Sequence, residues 1–304
     1  MATQNSNKIQ LKKCNEVLIL LDKLSSCVFN AEIGNIGAII ENRRLGIETP
    51  VKINFPKDDN GNNVSIDPFD KLIFSGAVSE IASGNNTVSL SRLFHTIGGG
   101  RDLCDAPNIK AAIEQSLSKL RRTEITVDVT ELTEKFKQYA EQLGAIPNSK
   151  GQIILKGALL PSETICAVVN GKITDGAVIL LGNPVLLRIA EMKGQIKRCS
   201  PNLLAVPVRT TEHTLKLKYY LLEHILKIKG SHDPKRNKRV RKLNTSILFD
   251  TIFSHCGLQD TKWQKQDFRK VISCVLDHFV SENFITGYEF VKRDNKFYSI
   301  SITF

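Results

Sequence analysis

Six cations crowd eight consecutive positions of this chain, Lys235, Arg236, Lys238, Arg239, Arg241 and Lys242. The chemistry open to them is polyanion binding. Ammonium and guanidinium groups displace counterions from phosphates, giving an affinity that depends steeply on salt and little on base sequence. A second group follows, Lys262, Lys265, Gln266, Arg269, Lys270 and Ser273, spread along a single helical stretch. Arginine suits guanine and glutamine suits adenine, because each can pair bidentately with a base edge in the major groove. A third group, Lys292, Arg293 and Lys296, surrounds the turn Arg293-Asp294-Asn295 between two alternating segments, where cations can meet phosphates. Each group also has a plainer reading: a solvated linker, a solvated helix face, a charged hairpin end. Their succession within one stretch favours double-stranded DNA.

The charge of the whole chain supports that weighting. The formal net charge of +11 favours polyanionic partners. It is not evenly spread. Between Lys216 and Lys242 ten basic residues face only Glu223 and Asp233, whereas Leu243–Phe304 carries seven of each sign.

Side chains for covalent or metal chemistry are present but not arranged for it. The six histidines, His95, His213, His224, His232, His255 and His278, include no HxH pair of the kind a metal-dependent nicking site uses. No GxxxxGK[ST] phosphate loop occurs, so no motor is expected, and Gly98-Gly99-Gly100 reads as a helix stop. Cys274 and His278 share a helix face, and His255-Cys256 ends another segment, but the spacing fits no zinc finger. The expectation is a non-enzyme with no catalytic residue, no metal and no cofactor. The cysteines number seven, an odd count, and none form a CxxC pair, which suits a reducing compartment. The polar start and the short apolar run Val17–Leu21 predict no signal peptide and no membrane span. A soluble, cytoplasmic protein is expected.

The elements that must carry these groups can be read from periodicity and caps. Asp67-Pro68 opens a helix bearing Phe69, Leu72, Ile73, Val78 and Ile81. Ser89 caps a short second helix, and Pro107 starts a third with Ile109, Ile113, Leu117 and Leu120 inward. The alternating Thr123–Thr130 segment, returning at Gln152–Leu155, predicts a strand hairpin, with an amphipathic Glu131–Gly144 helix decorating it. The order recurs: a helix over Thr211–Lys229, a second over Ser246–Cys256, a third over Trp263–Asn283, then strands Phe284–Val291 and Lys296–Phe304. Three helices followed by a hairpin is the order of a winged helix-turn-helix. The predicted fold class is α+β, with two winged helix-turn-helix domains in tandem, the first having an elaborated wing. The boundaries fall at 1–66, a poorly defined segment, 67–205, the first domain, and 206–304, the second.

The phrases IKAAIEQSLSKLRRTEITVDVTE, LKYYLLEHILKIK, NTSILFDTIFSHCGL and FVSENFITGYEFVKRDNKFYSISI resemble the replication initiator proteins of bacterial plasmids and mobile elements, which pair two winged helices. The likeness runs from Asp67 to the end. It implies that the first domain serves dimerisation and backbone contacts and the second reads origin repeats, with DNA, a second copy of the chain and a host helicase as partners. A winged-helix transcriptional repressor is the alternative, since it uses the same fold and electrostatics.

Overall fold

The computed structural model describes residues 12–30, 38–42, 47–99, 103, 106–135, 138, 141, 152–169, 172–231, 245–258, 262–294 and 296–304. The basic run 235–242 and most of the expected 131–144 helix lie outside them. The fold is an α+β arrangement of helices and small antiparallel sheets.

Its centre is set by Asp67. The Asp67 carboxylate accepts from the Phe69 and Asp70 amides, at 2.6 and 3.2 Å, while the Asp70 carboxylate accepts from the Asp67 amide at 2.8 Å. This capping box, with Pro68 in the first turn, starts a helix over Pro68–Ala82. Phe69 through Glu80 are all buried, so the helix is enclosed on every side and its apolar residues follow no single stripe. Its serines are satisfied by the N-terminal segment: the Leu18 amide donates to Ser79 Oγ at 2.8 Å, and Ser75 Oγ donates to the Leu18 carbonyl.

Strands are β1 (Val17–Leu20), β2 (Ala38–Asn42), β3 (Ile47–Asn54), β4 (Thr87–Ser89), β5 (Glu124–Asp128), β6 (Ile154–Ala158), β7 (Ser162–Val169), β8 (Lys172–Leu180), β9 (Ile196–Cys199), β10 (Ser246–Leu248), β11 (Gly287–Arg293) and β12 (Lys296–Thr303). Helices are α1 (Lys23–Val28), α2 (Pro68–Ala82), α3 (Leu90–Thr96), α4 (Pro107–Arg122), α5 (Thr130–Lys135), α6 (Val185–Met192), α7 (Glu212–Ser231), α8 (Phe249–His255) and α9 (Lys262–Ser281). A 3-10 turn spans Pro201–Leu204.

One order of elements occurs twice. After α2 come the three-residue β4, the short α3, the long α4 and the β7–β8 hairpin; after α7 come the three-residue β10, the short α8, the long α9 and the β11–β12 hairpin. The pairing repeats as well, with strand orders β4-β8-β7 and β10-β12-β11. In each, the short strand before the second helix pairs with the returning strand of the hairpin.

This corrects the expected first hairpin. Thr123–Thr130 and Gln152–Leu155 do pair, as β5 with β6, but in a separate four-stranded sheet ordered β2-β3-β5-β6. Ile125 and Val127 are wholly buried there, and Val51 and Ile53 of β3 cover the same face of the sheet. Local alternation marks a half-buried strand without naming all its partners, and here a second partner, β3, lies some seventy residues upstream. The expected hairpin is therefore part of another sheet, to which the excursion between α4 and β7 contributes β5 and β6. The excursion leaves and rejoins the chain at one point, where the Leu159 amide donates to the Thr123 carbonyl at 2.7 Å and the Leu160 amide to the Leu120 carbonyl at 3.1 Å. The N-terminal segment is integral to the fold too, since β1 pairs with β9 and β3 with β5. The helix expected over Ser246–Cys256 begins only at Phe249, its first residues forming β10.

The two copies are joined through their first helices. Glu223 of α7 is buried, and its Oε1 lies 2.7 Å from Lys71 Nζ of α2 and 2.5 Å from Lys227 Nζ. Burial alone would push the Glu223 carboxyl up; the two lysines override it and hold the group below its ordinary value. One turn before, Lys218 is wholly buried and donates to the Gly98 carbonyl at 3.1 Å, just past the end of α3. Gly98 has φ +90°, and a Cβ there would meet the Leu204 carbonyl oxygen at 2.6 Å, so the close approach admits only glycine.

Candidate nucleic-acid interface

The last long helix presents its faces by a simple division. Phe268, Ile272, Val275, Leu276 and Phe279 are buried against α7, α8 and the sheet, and Gln266, Asp267, Lys270, Cys274 and Asp277 are exposed. Of the expected reading residues, Gln266 and Lys270 stand on this outward face. Lys270 Nζ lies 3.1 Å from Asp267 Oδ1, both side chains being largely in water, so the pair holds Lys270 only weakly. Lys262 is the first residue of the helix. Lys265 leans back, its Nζ 5.4 Å from the Phe253 ring centre.

Ser273 lies one turn beyond Arg269 and Lys270 on the same helix. It is half-buried, beside Tyr288 of β11. The Tyr288 hydroxyl donates to Asp277 Oδ1 at 2.8 Å. Burial first, and then the carboxylate accepting its proton, push the phenol up to about 12, so it stays a donor. Asp277 thus ties the hairpin to the helix.

The hairpin carries the other cations. Lys292, Arg293 and Lys296 are all exposed at its tip, with Arg293 opposite Lys296 and Lys292 opposite Phe297 in the register. Two aromatic residues that the sequence reading passed over lie beneath them. The Arg293 guanidinium carbon is 3.7 Å from the Tyr298 ring centre, while Arg269 and Lys292 each lie 4.8 Å from the Phe297 ring centre. Phe297 and Tyr298 are 36% and 38% exposed. The signal was present: successive residues of a strand point to opposite faces, so two adjacent aromatics in a half-buried hairpin cannot both face the core.

The corresponding helix of the first copy is employed differently. Lys119 Nζ lies 2.5 Å from Asp70 Oδ2 and 3.6 Å from Asp67 Oδ2, and Arg122 donates to the Lys57 carbonyl at 2.6 Å. Those cations brace α4 against α2 and the Lys57 loop.

The histidines and cysteines weighed for metal binding have other surroundings. His255 packs on Tyr220 at 4.4 Å between ring centres, His278 Nε2 lies 2.7 Å from the Asn202 carbonyl oxygen, Cys256 is buried and Cys274 exposed. Among the described residues no three His, Cys, Asp or Glu side chains are grouped to hold a metal ion, and no helix is long and apolar enough to cross a membrane.

No family model matches the chain, and no curated protein sequence matches it. Solved structures that resemble it include crystal structures of domains 2 and 3 of RctB. One, a selenomethionine derivative, is 12% identical with a TM-score of 0.41, covering 93% of this chain and 96% of that one. Another, of the same two domains, is 12% identical with a TM-score of 0.40, covering 88% and 90%. A likeness of this size carries no statement about what the chain binds.

Proposed function

We propose that the chain is a sequence-specific double-stranded DNA-binding protein made of two winged helix-turn-helix domains, the second of which reads sequence. The observation that carries the reading is the outward face of α9 lying beside a hairpin whose tip is cationic. A helix in the major groove flanked by a wing on the backbone is how such modules dock. The repeated pairing of a short strand with the returning hairpin strand supports the same fold for both halves. Within this reading the first domain, 67–205, supplies backbone contacts and self-association, and the second, 206–304, base contacts. The chain supplies binding energy and no chemistry of its own. Its resemblance to plasmid and mobile-element initiators makes origin repeats the preferred target and a host helicase the preferred further partner.

Two outcomes test it. Wild type bound to a duplex pool with a randomised core should lose affinity steeply as salt rises. Neutralising Lys235, Arg236, Lys238, Arg239, Arg241 and Lys242 together should flatten the slope of log K against log salt by about 5, and weaken all sequences alike, because phosphates are the same at every base pair. An unchanged slope removes this segment from the interface, and no binding at low salt removes the function. In the second test, Arg269→Ala should cost about 1–3 kcal/mol on the sequence selected from that pool and much less on the unselected pool. Equal losses on both would make Arg269 a phosphate contact. Selected sites that recur as clustered repeats at an origin support the initiator, and a single palindrome over a promoter supports the repressor.

A further inference from the structure

Phe297 is a large apolar side chain left over one third exposed on the face where cations gather. Its inner side is fixed. It meets Phe249 of α8 and Phe290 of β11 edge to face, with ring centres at 6.0 and 5.9 Å. Such tilted aromatic contacts are favourable and hold a ring in one orientation. Its other neighbours are charged: the guanidinium of Arg269 from α9 and the ammonium of Lys292 from β11, each 4.8 Å from the ring centre. Neither cation has a carboxylate partner among the described residues. Two like charges therefore share one ring, an arrangement that repels itself until an anion arrives. Unrestrained, an arginine and a lysine would each give up rotamer freedom on meeting a phosphate or a base.

We propose that Phe297 is a positioning residue for DNA binding: its ring face pre-orders Arg269 of the helix and Lys292 of the hairpin, so that helix and hairpin meet the duplex as one surface. The inference rests on the DNA-binding reading and adds the residue that links its two halves. Specificity carried by Arg269 then depends on a side chain that itself touches no DNA.

The experiment compares wild type, Phe297→Leu, a variant with pentafluorophenylalanine at 297 and Phe297→Tyr, each on the selected duplex and on the unselected pool, with thermal unfolding measured alongside. Leucine keeps apolar packing without a π face. Pentafluorophenylalanine keeps the ring's shape but reverses the sign of its face, so it serves even if the leucine variant folds poorly. From the size of two cation–π contacts, both should bind the selected duplex about fivefold to thirtyfold more weakly, and tyrosine should stay within about twofold of wild type. In an Arg269→Ala, Lys292→Ala background the change to pentafluorophenylalanine should have no further effect. Wild-type affinity in the fluorinated variant, or a loss that persists undiminished in that background, overturns the inference while leaving the DNA-binding function intact. Failure of wild type to bind any duplex overturns both.

Discussion

Glu223→Gln should destabilise the protein by about 3–5 kcal/mol, the cost found when one partner of a buried ion pair is removed. The Lys71 ammonium is nearly fully buried, and Glu223 is its only carboxylate neighbour within bonding distance among the described residues. Glutamine preserves the shape of the site and one acceptor oxygen, but leaves Lys71 and Lys227 facing one another without an intervening anion. Burial already holds Lys71 below its ordinary pKa despite Glu223, so without the carboxylate it must lose its proton or lose its burial. Urea unfolding measures the loss. A double change, Lys71→Met with Glu223→Gln, should recover most of it, since a buried pair exchanged for neutral groups of similar volume is often tolerated. A loss below about 1 kcal/mol for Glu223→Gln alone would show that water reaches the site and that α2 and α7 are joined by apolar packing only.

Lys218→Met should act in the opposite direction. Its side chain is wholly buried with the Gly98 carbonyl as its one hydrogen-bond partner among the described residues, and burial lowers its pKa from 10.5 to about 8. The sign follows from linkage. A lysine whose folded pKa lies below its unfolded value binds fewer protons when folded across that interval. Wild-type stability attributable to this group therefore rises with pH between about 8 and 10.5, and below 8 the full penalty of about 3 kcal/mol applies. Methionine removes the charge and forfeits a hydrogen bond worth about 1 kcal/mol, so the variant should be more stable than wild type by about 2 kcal/mol at pH 7. The gain should shrink and then reverse as pH approaches 10.5. Chemical denaturation of both proteins at several pH values tests this, and a difference independent of pH would mean that Lys218 does not titrate in that interval.

Both sites escaped the sequence reading for the same reason. Lys218 and Glu223 sit in a helix whose periodicity names Leu215, Leu217, Tyr220, Leu221, Ile225 and Ile228, and the charged residues between them were counted only towards the basic excess of Lys216–Lys242. In the structure α7 is covered on nearly all sides, by α2, α8, α9 and the 3-10 turn, so those positions are interior. Helices with strong end signals were legible. Asp67-Pro68, Ser89 and Pro107 each mark a true start. Local chemistry fixes such boundaries. The hairpin pairings of β5 with β6 and of β11 with β12 were legible, but other partners were not: β4 and β10 are three residues long, too short to show alternation, and the second partner of β5 lies far upstream. Gln266, Lys270, Lys292, Arg293 and Lys296 are exposed, as a polar periodicity and a turn place them.

The sheet excursion between α4 and β7 begins and ends at neighbouring residues, Thr123 and Leu159, hydrogen-bonded to each other. An insertion there leaves the ends of the flanking elements where they already are, and closing a longer loop between fixed ends costs only slowly more, whereas removing β5 and β6 would strip β3 of its partner and uncover Val51 and Ile53. The first copy of the repeated order can therefore carry a lobe that the second lacks without disturbing the pattern they share. That makes the junction a graft point. A reporter domain or an orthogonal binding module spliced at this point would be carried as cargo, while the helices and hairpins on either side keep their own packing.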